Sequence, residues 1–295
     1  MVTRPFGEAP RAADALGGAE TTGEGALLLI GGHEEPGGKI LERFAGLVPG
    51  SRPIALVTLA TEEPAAAFER YRKSFGAFGD QVQHIDAQSR LDCRDPGGIG
   101  LLEEAGGIFF TGGDQLRITS VLGGTPLEDA LWRAHRRGAV IGGTSAGASA
   151  MSTTMLVGGA DEESARRATV RMCPGLGFLP DAVVDQHFAQ RGRINRLLAA
   201  LAQNPGTLGI GIDEDTAVLV QGEAMEAFGS GTVTVLDARG AAVGDASEAA
   251  VDAPLELGPV GLWVLSHGAS FDLARRAVTH SAARPGQHSE VPLSR

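Results

Sequence analysis

Ser145 stands in Gly142-Gly143-Thr144-Ser145-Ala146-Gly147-Ala148-Ser149, directly after the apolar run Ala139-Val140-Ile141. A β-favouring run that breaks into small residues around one serine is the pattern of a strand-to-helix elbow that presents a nucleophile. Gly143 and Gly147 carry no Cβ, so the backbone can turn sharply and leave Ser145 Oγ clear of its neighbours. The chemistry on offer is attack on a carbonyl carbon, which needs a base, an oxyanion site and a pocket.

A serine hydroxyl is a weak nucleophile until a base takes its proton. Of seven histidines, His187 is the one expected to do so, because it follows the strand-like Val183-Val184-Asp185 within Asp185-Gln186-His187-Phe188. In a parallel sheet that is the carboxyl end, where active sites gather. His33 follows the first apolar run in a glycine turn and can line the same mouth, while His84, His135 and His267 read as structural. A third group must hold the imidazole tautomer and stabilise the imidazolium. The acidic run Asp161-Glu162-Glu163 lies between serine and histidine, giving the chain order Ser, acid, His of other strand-elbow hydrolases.

Oxyanion donors are expected from the Ala146 N–H, next to the nucleophile, and the Gly113 N–H of Gly112-Gly113-Asp114-Gln115, which also ends an apolar run. Arg191-Gly192-Arg193-Ile194-Asn195-Arg196 follows His187. Arg193 and Arg196 share a helix face, whereas arginines in a first helical turn oppose the macrodipole. Guanidinium forks bind carboxylates bidentately, so the cluster points to a substrate that carries carboxylate.

The elements that must position these groups are read from short apolar runs alternating with helical patterns. Strands are expected at 26–30, 54–58, 81–85, 108–110, 139–141, 182–185 and 208–212, and helices at 39–47, 65–78, 126–137 and 195–202. Near-continuous apolar strands between helices indicate an α/β fold with a mostly parallel sheet covered on both faces. From Thr216 onward the strands at 217–220, 233–236 and 262–265 are closely spaced, which suggests antiparallel pairs closing one edge of that sheet. A single domain over 25–278 is expected, with tails at 1–24 and 279–295 whose composition predicts disorder.

Composition narrows the function classes. Hydrophobic content of 43% and charged content of 21% describe a globular chain that buries a core. A net charge of −11 argues against a general nucleic-acid binder, which needs a basic footprint on phosphates. No run reaches the roughly 18–20 apolar residues of a membrane helix, and the N-terminus shows no signal-peptide pattern. Two cysteines, Cys93 and Cys173, lie in no metal-ligand or redox spacing and fit reduced thiols in a cytoplasmic protein.

Taken together, Thr111–Gln115, Gly142–Ser149, Pro174-Gly175-Leu176-Gly177-Phe178-Leu179-Pro180, Asp185–Phe188, Arg191-Gly192-Arg193 and Gly211-Ile212-Asp213-Glu214 resemble cyanophycinase, in the right order over about residues 26–222. The resemblance implies a flavodoxin-like α/β/α three-layer sandwich and a serine exopeptidase, related to aspartyl dipeptidases. Such an enzyme hydrolyses cyanophycin, a poly-aspartate backbone bearing arginine on its side-chain carboxylates, to β-Asp-Arg dipeptides. It implies a homodimer and no metal or organic cofactor. By resemblance Ser145 is the nucleophile and His187 the base, and Glu163 best matches the acid's register with Glu162 as rival. Gln115, Asp185, Gln186, Arg191, Arg193 and Arg196 match pocket residues, with the substrate guanidinium left to Asp185 or another acid. An aspartyl or isoaspartyl dipeptidase of small peptides is the alternative within the same chemistry. A non-catalytic carboxylate-binding protein is the alternative outside it, and a glutamine amidotransferase is disfavoured because its elbow carries cysteine.

Overall fold

A computed structural model describes residues 23–158, 164–166, 170–244, 250 and 253–280. Along the chain the elements alternate as β1 (Leu27–Ile30), α1 (Lys39–Leu47), β2 (Ile54–Val57), α2 (Pro64–Ser74), β3 (Val82–Ile85), α3 (Pro96–Glu104), β4 (Gly107–Phe110), α4 (Gln115–Leu122), α5 (Pro126–Arg136) and β5 (Val140–Thr144). The short α6 (Ala146–Ser149) follows, then β6 (Thr154–Gly158), β7 (Arg171–Pro174), β8 (Ala182–Gln186), α7 (Ile194–Gln203) and β9 (Leu208–Ile212). Among the described residues the remaining elements are strands: β10 (Thr216–Gln221), β11 (Ala224–Gly229), β12 (Val233–Asp237), β13 (Ala242–Val243), β14 (Leu257–Gly258), β15 (Gly261–Leu265), β16 (Ser270–Asp272) and β17 (Ala277–His280).

Local chemistry starts several helices. Asp114 caps α4 by accepting from the Leu116 N–H at 2.8 Å. Thr125 accepts from the Glu128 N–H and precedes Pro126, whose fixed φ suits the first turn of α5. Asp95 does the same for α3, accepting from the Gly98 N–H at 2.9 Å.

Nine strands form the main sheet in the order β17-β16-β11-β10-β1-β5-β4-β2-β3. The pairs β1–β5, β5–β4, β4–β2 and β2–β3 are parallel, and β10, β11, β16 and β17 add antiparallel to the β1 edge. Alternate residues of one strand face opposite layers. Leu28 and Ile30 pack with Phe44 of α1 and Phe109, whereas Leu27 and Leu29 pack with Leu102, Ile118 and Leu131 of α3, α4 and α5. Both faces are therefore covered, as the apolar strands require. This is the three-layer α/β/α arrangement expected from the sequence.

The C-terminal half departs from expectation in one respect. β10 does close the edge of the main sheet, but β12 and β15 do not lie on it. They pair with β8 and β9 in a separate four-stranded sheet, order β15-β12-β9-β8, with β8 and β9 parallel. Its inner residues Val184, Ile210 and Ile212 join the main core, and Leu197 and Leu201 of α7 cover Val183 on the outer side. Strand spacing cannot tell which of two sheets a β-hairpin joins, because both pairings satisfy the same alternation. The expected tails 1–24 and 279–295 fall almost entirely outside the described residues.

The two sheets meet at their carboxyl ends. The His187 N–H, just past β8, donates to Gly31 O just past β1 at 2.9 Å, and the Asp215 N–H donates to Gly32 O at 2.8 Å. The end of β1 is thus clamped between the end of β8 and the β9–β10 turn, and the chemistry-bearing loops converge there.

Candidate active site

The nucleophile elbow forms as the small residues require. Ser145 joins β5 to α6 with φ +52° and ψ −110°, a region L-residues enter only when their surroundings hold them there. The surroundings do so: the Ser145 N–H donates to Ile30 O at 2.9 Å, and the Ser149 N–H donates to Ser145 O at 3.0 Å. At Gly143 any Cβ would stand 2.5 Å from the Gly147 carbonyl, so strand and helix approach closer than a side chain allows.

Thr144, the residue before it, is anchored on its other side. Its Oγ1 donates to Glu34 Oε2 at 2.6 Å, and the Tyr71 hydroxyl donates to Glu34 Oε1 at 2.7 Å. Burial, and after it the Glu34 carboxylate, push the Tyr71 phenol well above its ordinary value, so it remains a donor.

Ser145 Oγ lies 2.9 Å from His187 Nε2, within hydrogen-bond reach of a proton acceptor. On the other side of the ring, His187 Nδ1 lies 2.7 Å from Glu214 Oε1. With Nδ1–H donating to Glu214, Nε2 is left with its lone pair toward the serine. Glu214 is placed by the turn after β9, and its N–H donates to Gln190 Oε1 at 3.0 Å. His187 is held below the ordinary imidazole value, by burial first of all. The Glu214 hydrogen bond and charge oppose that shift, while Arg191 and His33 add to it. A neutral ring at pH 7 is a ring able to accept the serine proton. Activity is therefore expected to be lost on acidification, as His187 protonates, with the acid limb of kcat/KM below the free-histidine value of about 6.5. A limb centred above that value, measured across pH 4.5–8, would contradict the assignment.

The oxyanion candidates sit beside the serine. Gly112 lies beside Ser145: a Cβ added there would meet Ser145 Cβ at 3.5 Å. Gly113 adopts φ +142° with its Cα turned against Ala60 O, where a Cβ would stand at 2.1 Å. Ala146 opens α6, so its N–H belongs to the first helical turn and has no intrahelical acceptor.

Two cavities flank Ser145. The one on the arginine side, of about 290 Å³, is lined by Gly113, Gln115, Gln186, Arg191, Arg193 and Arg196. Asp185 is fully buried behind it, and Arg196 grips its carboxylate with Nε on Oδ2 at 2.7 Å and Nη2 on Oδ1 at 2.5 Å. Arg193 Nη1 donates to Gln186 O at 2.7 Å and reaches Asp185 at 3.5 Å. Removing one partner of such a buried pair typically costs about 3–5 kcal/mol, since the other charge stays buried. Asp185 thus acts through the arginines it holds. Gln115 Nε2 donates to Leu156 O, and Gln186 Oε1 lies 3.4 Å from the Ser149 hydroxyl. Arg191 is exposed and lines both cavities. The second cavity, of about 420 Å³, is lined among others by His33, Glu34, Arg70 and Tyr71.

The structure thus brings together Ser145, His187, Gly113, Ala146, Gln115, Gln186, Arg191, Arg193 and Arg196. Glu163 and its rival Glu162 lie outside the described residues. The carboxylate found on His187 Nδ1 is Glu214. Glu34, Tyr71 and Glu214 carry no role in the reading of the sequence. A signal for Glu214 was present, because it follows the apolar β9 just as His187 follows β8.

Comparison with known proteins gives the family and the fold. Peptidase family S51 matches residues 27–228. A cyanophycinase of Geminocystis herdmanii is 40% identical over 253 residues, covering 84% of this chain and 93% of the relative. A cyanophycinase of Trichormus variabilis is 37% identical over 265 residues, covering 88% and 89%. Among solved structures, a peptidase from an acI-B1 actinobacterium superposes with a TM-score of 0.63 at 20% identity, covering 84% of this chain and 97% of that one.

Proposed function

The chain belongs to peptidase family S51, and from that premise we propose that it is a serine exopeptidase that degrades cyanophycin to β-Asp-Arg dipeptides through an acyl-enzyme on Ser145. The observation that carries the mechanism is the chain of contacts from Ser145 Oγ to His187 Nε2 at 2.9 Å and from His187 Nδ1 to Glu214 Oε1 at 2.7 Å.

Ser145 Oγ attacks the backbone carbonyl while His187 Nε2 takes its proton. Glu214 stabilises the imidazolium and keeps the ring oriented. Negative charge on the carbonyl oxygen is met by the Ala146 and Gly113 N–H groups, each typically worth about 2.7–4 kcal/mol in such a role. The imidazolium then protonates the leaving amine, and a water activated by the same nitrogen releases the acyl group. Arg191, Arg193 and Arg196, with Gln115 and Gln186, take the carboxylates of the β-Asp-Arg unit at the polymer end. Asp185 is engaged by Arg193 and Arg196, so we assign the substrate guanidinium to the cavity lined by Glu34.

The arginine-lined cavity also supports the polymer over small aspartyl or isoaspartyl dipeptides. With cyanophycin and Asp-X dipeptides as competing substrates, kcat/KM is expected to favour cyanophycin at least tenfold. Preference for short substrates lacking arginine would replace this reading with a dipeptidase.

Among the described residues no helix is long and apolar enough to cross a membrane. Cys93 and Cys173 are both free, which supports a reducing, cytoplasmic location, and fractionation of the producing cells tests it. A homodimer is supported by the edge strand β15, which exposes Leu262 and Val264. Light scattering giving the mass of one chain would exclude it.

A further inference from the structure

Glu214 has two carboxylate oxygens, and the reaction uses one. While Oε1 meets His187, Oε2 lies 3.3 Å from the Nδ1 of His33. His33, Glu214 and His187 each offer one donor atom, and the three atoms lie within 4.8 Å of one another. The two imidazole rings stand edge to face with centroids 5.2 Å apart. We propose that these three residues form an inhibitory site for a borderline-soft divalent cation such as Zn²⁺, which stops the reaction by taking the imidazole nitrogen that Glu214 otherwise holds.

Two histidines and one glutamate are a donor set that zinc accepts, with a fourth position left for water. Zinc–nitrogen and zinc–oxygen bonds of about 2.0–2.2 Å put tetrahedral donors roughly 3.3–3.6 Å apart. The 3.3 Å from His33 Nδ1 to Glu214 Oε2 already fits, and with the three donor atoms within 4.8 Å of one another, closing on an ion takes a shift of about an ångström. The required freedom lies on the correct side. His33 is 72% exposed and can turn toward an arriving ion, whereas the His187 ring is fixed against Gly32, where a Cβ would stand 2.3 Å from Cε1. Arg70 and Arg191 line the same cavity and oppose a cation, with Glu34 offsetting one of them. The site is therefore expected to hold the cation reversibly, so that EDTA removes it.

The inhibition follows from proton placement. A neutral imidazole carries one ring proton, on Nδ1 when Nε2 accepts from Ser145. Zinc occupying the Nδ1 lone pair moves that proton to Nε2 by way of solvent, leaving the ring's proton count unchanged. Nε2–H then donates to Ser145 Oγ and has no lone pair with which to take the serine proton. Mg²⁺ and Ca²⁺, which prefer all-oxygen sites, have no comparable claim on the imidazoles.

This inference rests on the peptidase reading for its effect on rate, but the binding half stands apart from it. Competition with a chromophoric chelator is expected to show one Zn²⁺ per chain on Ser145→Ala, which keeps all three ligands, and at least tenfold weaker binding on Ser145→Ala/His33→Ala. In parallel, Zn²⁺ is expected to inhibit the wild-type enzyme, with recovery on EDTA and no inhibition by Mg²⁺. The inhibiting concentration should rise at least tenfold in His33→Ala, each protein referred to its own metal-free rate. Equal Zn²⁺ binding with and without His33 would overturn the site. So would the absence of stoichiometric binding, and binding without inhibition would overturn its inhibitory role. A protein without peptidase activity would sink the functional reading while leaving the binding comparison to decide the site.

Discussion

Ser145→Ala is expected to lower kcat on cyanophycin by at least about 10³-fold while leaving thermal unfolding nearly unchanged. The size follows from what is lost and what is left. Removing the nucleophile of a serine–histidine–acid unit abolishes covalent catalysis, while the oxyanion donors and substrate binding still supply roughly 10³–10⁴-fold over water. Stability should hold because the strained backbone at Ser145 is kept by the Ile30 and Ser149 hydrogen bonds, which do not involve Oγ. Alanine meets the same left-handed φ as serine, so the strain is not increased. Rates of dipeptide release and a melting curve on the same preparation check both halves. A variant that melts like wild type and still turns over would remove Ser145 from the chemistry.

Glu214→Gln is expected to cost about 10²–10⁴-fold in kcat, with KM changing far less. An amide in place of the carboxylate cannot stabilise the imidazolium. It can also donate to Nδ1, which favours the ring tautomer with its proton on Nε2, facing the serine. The loss therefore falls on the transition state and not on substrate binding. Glu163→Gln is the comparison that matters, since the acidic loop of residues 161–163 is the other source of an acid in the chain. It is expected to stay within a few-fold of wild type. Collapse of Glu163→Gln with Glu214→Gln near wild type would move the acid to that loop. The pair of variants discriminates without either being a folding test, because Glu214 is partly exposed and lies on a turn.

Much of this site was legible before any fold was known, and the reason is local. The Ser145 elbow is written in the requirement for small residues between a buried strand and a helix. His187 is marked by its place at the end of an apolar run, and the arginines by their adjacency to it. The parallel strands of the main sheet are legible as short runs between turn signals, but the helices α3 and α4 are not: α3 is glycine-rich and α4 is short, so neither shows a clear helical period in the sequence. The second sheet is not legible, because β12 pairs with β9 and with β15, and β9 with β8, each across an intervening stretch of chain. The same nonlocal pairing decides what Glu214 does: its place after an apolar run is visible in the sequence, but only with β9 parallel to β8 does the turn after it reach His187. Glu34 and Tyr71 are hidden likewise, since their link to Thr144 joins the ends of β1 and β5 and the helix α2. The resemblance puts Asp185 among the pocket residues, and its sequence neighbours give no hint that Arg196, early in α7, encloses it.

The account centres on Ser145 acting at the end of a cyanophycin chain. Mass analysis of the soluble products from purified cyanophycin, taken early in the reaction with wild-type enzyme and with Ser145→Ala, tests it most directly. β-Asp-Arg is expected as the dominant product from the first time point with wild type, with essentially none from the variant. Longer internal fragments appearing first, free arginine as the product, or dipeptide release that survives the loss of Ser145 Oγ would contradict it.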